Sequence, residues 1–85
     1  MQETPIGKVI HYYDKANVAV IKLTKNDISI GDKIKFVHDN TEFVQTIDSM
    51  EINHEKVNEV KQGNEVAIKL NQKGHDKGLI YKIEE

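Results

Sequence analysis

Asp27-Ile28-Ser29-Ile30-Gly31-Asp32-Lys33-Ile34-Lys35-Phe36-Val37 is the stretch that decides the fold. An apolar step reaches Gly31, which takes positive φ without the steric penalty other residues meet there. Asp32 follows with a carboxylate able to bond the turn's own backbone. Ile34 and Phe36 then alternate with Lys33 and Lys35, the period-two pattern of a half-buried strand. Small β-barrels enter a strand in this way, and the rest of the chain reads as strands closing on this one.

Upstream, Ile6 to Tyr13 is rich in β-branched and aromatic residues and predicts a first strand. The polar turn Asp14-Lys15-Ala16-Asn17 leads to a second, Val18 to Leu23. Its near-continuous apolarity predicts burial on both sides or a place at a barrel seam. Downstream, Asp39-Asn40-Thr41 predicts a hairpin turn into a fourth strand from Glu42. Met50 and Ile52 lie on the opposite parity from Phe43 and Ile47, so a β-bulge is expected near Asp48-Ser49. Asn53 to Gln62 reads as a loop with at most one helical turn, Val57 and Val60 capping the barrel, and Gly63 ends it. Glu65 to Leu70 alternates as a fifth strand, and Gly78 opens a sixth through Ile83. Full closure hides the edges of so few strands, so a single closed all-β barrel is expected over residues 1–85, with its core at about 5–83. Ile34, Phe36, Phe43, Ile47, Val66, Ile68 and Leu70 should share that core.

Composition narrows the function. Eighty-five residues with 38% hydrophobic and 31% charged side chains make one folded domain, too small for a deep cleft between lobes. No apolar run approaches membrane-spanning length, and the first residues lack the basic and apolar regions of a secretory signal. No Cys is present, which removes disulfides, thiolate metal sites and cysteine nucleophiles and fits a cytoplasmic protein. Twelve lysines and no arginine face 14 acids, for a net charge of −2. Bulk charge therefore gives no sign of nucleic-acid binding, and the usual bidentate reader of phosphate and guanine is missing.

The series Ile6-Gly7-Lys8-Val9, Val18-Ala19-Val20, Ile30-Gly31-Asp32-Lys33-Ile34, Phe43 to Met50 and Gly63-Asn64-Glu65-Val66-Ala67-Ile68 resembles the second domain of elongation factor Tu and its relatives. The closing Gly78-Leu79-Ile80-Tyr81-Lys82-Ile83 is similar to a sub-branch: the barrel attached to collagenase-like peptidases, and small stand-alone elongation-factor-like proteins. The resemblance runs from about Pro5 to Ile83 and implies a six-stranded translation-factor barrel. It implies a non-catalytic, translation-related module touching RNA or a ribosome-associated protein. The alternative is an accessory barrel for a cytosolic enzyme such as a collagenase-like peptidase. The departures from the pattern bear on function. No P-loop is present, hence no phosphate cradle and no GTPase. No motif marks an aminoacyl-tRNA pocket. Gly78-Leu79 stands where relatives often carry Gly-Asp.

Candidate sites are sparse. His11, His38, His54 and His75 fall in four segments without ligand spacing, so no metal is expected. The adjacent pair His75-Asp76, with only Ser29 and Ser49 as serines, makes a poor hydrolytic set, and no cofactor is implied. Asp48, Glu51, Glu55 and Glu59 read as solvated acids. Six lysines, Lys8, Lys22, Lys33, Lys35, Lys69 and Lys82, fall on strands, where outward lysines guard edges against aggregation. If the barrel contacts RNA or a protein partner, Lys33, Lys35, Lys69, Lys82 and Tyr12 are the candidate contacts; an exposed Tyr12, Tyr13 or Tyr81 could stack bases. Gly31, Asp32, Gly63 and Gly78 are expected to shape turns.

Overall fold

Alternating side chains make strands where one face can be buried. The computed structural model describes residues 4–83 and shows ten strands and no helix among them. These are β1 (Pro5–Tyr13), β2 (Val18–Leu23), β3 (Ile28–Ser29), β4 (Lys33–His38), β5 (Thr41–Thr46), β6 (Met50–Ile52), β7 (Glu55–Val57), β8 (Glu59–Val60), β9 (Glu65–Lys69) and β10 (Leu79–Ile83). Eight form one antiparallel sheet in the order β5-β4-β10-β1-β2-β9-β6-β7, while β3 and β8 pair apart. All seven residues expected in the core are buried, and Phe36 stacks on its register partner Phe43 with ring centroids 5.2 Å apart. Each such large side chain contributes roughly 1.5–3 kcal/mol by leaving water.

The opening stretch folds as its residues dictate. Gly31 sits at φ 95°, where a β-carbon is strained, and the Asp32 carboxylate accepts a hydrogen bond from Ser29 N at 2.8 Å. Gly31 N donates to Ile47 O at 2.9 Å and Ile47 N to Asp32 O at 2.8 Å, so the turn prolongs the β4–β5 ladder past Thr46. Beside it, Asp27 accepts from Gln62 N at 2.7 Å, tying β3 to the segment after β8. That hydrogen bond, with help from the Lys61 ammonium 3.5 Å away, holds the Asp27 carboxyl below its ordinary value.

Three expectations are corrected. The sheet is not closed into a barrel: its hydrogen-bonded ladder ends at β5 on one side and β7 on the other. The two arms share one core, and a buried side chain also reaches between them. Gln45 of β5 donates from Nε2 to Lys69 O at 3.0 Å and accepts from Asn71 N at 2.8 Å, bridging to the end of β9. Second, the parity change after Ile47 is absorbed by a corner rather than a bulge. Ile47 and Met50 are both buried, but residues 47–49 leave the strand, and β6 then pairs with β7 and β9. Third, Asn53 to Gln62 is not a loop but holds β7 and β8. Asn53 and His54, at φ 52° and 67°, turn β6 into β7, the geometry a two-residue hairpin needs. The valines do serve the core, Val60 buried and Val57 packed against it.

β2 also differs from expectation. It is central, between β1 and β9, but only Ala19, Ile21 and Leu23 are fully buried; Val18, Val20 and Lys22 are half-buried on the outer face.

Candidate interaction surface

Strand parity decides which predicted contacts share a face. Lys33 and Lys35 are two apart on β4 and project from its outer side, opposite the buried Ile34 and Phe36. Across the ladder, Lys35 is level with Val44 on β5 and Tyr81 on β10, and its ammonium lies 5.1 Å from the Tyr81 ring centroid. The next row runs Glu42, Val37, Leu79, Lys8. The outer face of β5-β4-β10 thus mixes exposed apolar residues, Val44 at 52% and Leu79 at 40%, with lysines and Glu42.

The other candidates do not join this face. Lys82 is level with the buried Ile34, so it has the opposite parity, and its ammonium lies 3.5 Å from the Asp32 carboxylate and 3.4 Å from Asp27 O. Lys69 is on β9, separated from β4 by β10, β1 and β2. Tyr12 is half-buried with its hydroxyl engaged: it donates to Asn17 Oδ1 and accepts from Gly74 N at 3.1 Å. Asn17, at φ 55°, also donates from Nδ2 to Leu70 O and Gln72 O, each at 3.0 Å. Tyr12 and Asn17 therefore pin the segment after β9 to the β1–β2 turn. Gly74 has to approach closely, since a β-carbon there would lie 2.4 Å from Leu70 Cδ1. Gly63 sits at φ 93° in its turn, and a β-carbon on Gly78 would lie 2.9 Å from the Phe36 ring.

Sequence spacing did not reveal one pairing. His38 and His75 are far apart in the chain, yet their ring centroids are 4.8 Å apart, and His75 Nε2 lies 3.3 Å from Thr41 Oγ1. The β4–β10 register, with Val37 level with Leu79, brings them together. No group of three or more His, Asp or Glu side chains is placed to hold a metal ion among the described residues.

The architecture recurs in solved structures. It superposes on the C-terminal domain of a candidate U32 peptidase of Geobacillus thermoleovorans with a TM-score of 0.83 at 17% identity, covering 93% of this chain and 99% of that one. A second crystal structure of that domain gives the same TM-score, 0.83, at 18% identity, covering 96% of this chain and 93% of that one. At such identities the likeness establishes the fold. In sequence, the chain is 37% identical over 81 residues to an uncharacterized protease of Methanocaldococcus jannaschii. The match takes in 94% of this chain and 20% of that protein, so the chain spans about a fifth of its relative's length. No protein-family model matches the sequence. Of the two resemblances in the sequence, these findings support the peptidase-attached one; the elongation-factor Tu resemblance and RNA binding gain no support from them.

Proposed function

We propose that the chain is a non-catalytic accessory domain of a collagenase-like peptidase, acting in the cytoplasm. It docks on the peptidase body through the outer face of β5-β4-β10. The observation that carries this reading is the near-complete superposition on the C-terminal domain of a candidate U32 peptidase. The exposed rows around Val44, Lys35, Tyr81 and Leu79 supply a surface suited to such docking. The test mixes the purified chain with the catalytic portion of a collagenase-like peptidase lacking its own C-terminal domain. A complex that survives nuclease and is weakened by Val44→Glu is expected. Absence of any complex, together with tRNA binding by the chain at about 50 mM salt, would overturn the reading in favour of an RNA-binding module.

A further inference from the structure

A groove of about 240 Å³ lies on the outer face of β2, β9 and β6, on the far side of β1 from the docking face in the strand order. Its floor is set by register: Val20 on β2 is level with Ala67 on β9, and Ala67 is level with Glu51 on β6. The floor is therefore apolar and low, since Ala67 leaves the space a longer side chain would fill. Tyr13, 53% exposed, lines the groove along with the floor. Glu51, Glu65 and His54 are also part of the lining. Glu65 is two residues before Ala67 on the same face of β9, which makes it a diagonal neighbour of Glu51, roughly 7–8 Å away. A cation between them can lie within about 4 Å of both carboxylates.

The nearby lysines leave this position open. Lys22, level with Glu65, donates its ammonium to Gly63 O at 2.8 Å. Lys56 is level with Glu51 on β7, and Lys69 follows Ala67 by two on β9, but neither makes an ion pair with Glu51 or Glu65. The two acids thus face the groove without an ion-pair partner among the described residues.

We infer that this groove binds a basic side chain of a peptide. The alkyl stem lies on Val20 and Ala67 against the Tyr13 ring, and the charged head sits between Glu51 and Glu65. The inference extends the peptidase-accessory reading by naming a peptide feature the domain recognises. It is measured on the chain alone, so failure of docking and failure of the groove are read separately.

The test is an NMR titration of the ¹⁵N-labelled chain with a blocked Gly-Lys-Gly tripeptide. Blocked Gly-norleucine-Gly keeps the stem without the charge, and Gly-Glu-Gly reverses the charge. The lysine peptide should shift the amides of Val20, Ala67, Glu51 and His54 in a saturable way, while the other two leave them in place. Glu51→Gln with Glu65→Gln should weaken binding about tenfold, as expected for two exposed ion pairs. Ala67→Leu should abolish binding by filling the floor without changing charge. Thermal unfolding of each variant confirms that it remains folded, and should Ala67→Leu fail to fold, the charge variant alone decides. Equal shifts with the norleucine peptide, undiminished binding by the double Gln variant, or shifts mapping elsewhere would each overturn the inference.

Discussion

Gln45→Leu removes a buried side chain that bridges β5 to the end of β9 in the open sheet. The Gln45 amide donates to Lys69 O at 3.0 Å and accepts from Asn71 N at 2.8 Å, and the residue is 5% exposed. Leucine fills similar volume but offers neither group. Leaving a buried polar partner unsatisfied costs roughly 1–3 kcal/mol, and a hydrogen bond that water can partly replace costs about 1. Lys69 and Asn71 themselves are exposed residues, so the lower figure applies to each, for a loss of about 2 kcal/mol. An 85-residue domain is stable by about 4–13 kcal/mol, so the variant should still fold. In urea, with m about 1 kcal/mol/M, the midpoint should fall by about 2 M. Amide exchange at Asn71 should quicken by at least as much as the global change. Gln45→Glu keeps an acceptor but loses the donor, and places its ionised form beside the Lys69 carbonyl. Burial raises the folded pKa of such a group, so its penalty should be full at neutral pH and fade as pH falls through that raised pKa. An unchanged midpoint for Gln45→Leu, with Asn71 still protected, would show that the arms are held together by core packing alone.

Other perturbations test the remaining parts of the fold. Asn17→Ala should cost about 2 kcal/mol, because it removes a turn residue at φ 55° and the acceptor and donors that hold Tyr12, Leu70 and Gln72; urea denaturation measures it. Gly31→Val should cost roughly 1–3 kcal/mol from backbone strain alone, since a β-carbon there meets nothing within 4 Å; an unchanged midpoint would mean the strain argument fails. Ile68→Asp buries an unpaired carboxylate at a fully buried position and should abolish cooperative unfolding in a thermal scan. Asp27 has a folded pKa below its unfolded one, so its contribution is present above about pH 4 and lost as pH falls through the lower folded value. The stability difference between wild type and Asp27→Asn, measured against pH, should therefore shrink toward acid; a constant difference would refute it.

The six longest strands were legible because five or more residues in a row alternate or are rich in β-branched and apolar side chains, and the seven core residues named from them are part of the observed core. What alternation does not mark is short or non-local. β3 and β8 have two residues each, too few for a period, and they exist because Ile28 and Val60 meet in the core. The β6–β7 hairpin turns on Asn53-His54, a pair without the glycine that usually announces such a turn. Gln45 sits at a core position of an alternating strand, where a polar side chain reads as a blemish until its partners, 24 and 26 residues on, are brought beside it. Closure was inferred from the need to hide edges. The chain meets that need at one seam with a side chain, where a barrel would use a ladder.

The same distinction governs the functional residues. Counting lysines on strands makes Lys33, Lys35, Lys69 and Lys82 look like one set, but charge on a sheet acts by face and by neighbour. Parity keeps Lys33 and Lys35 outward and sends Lys82 to the Asp32 turn; strand order carries Lys69 away. A basic stripe able to track a phosphate backbone would need these charges in one row. The apolar rows between Val44 and Leu79 could not be seen from spacing, because they join residues of three strands whose order departs from chain order. A face made of apolar residues with lysines interspersed gains more from excluding water against a protein surface than from meeting phosphates. That physical preference, taken with the likeness to a peptidase-attached domain, supports the proposal of a protein partner for this surface.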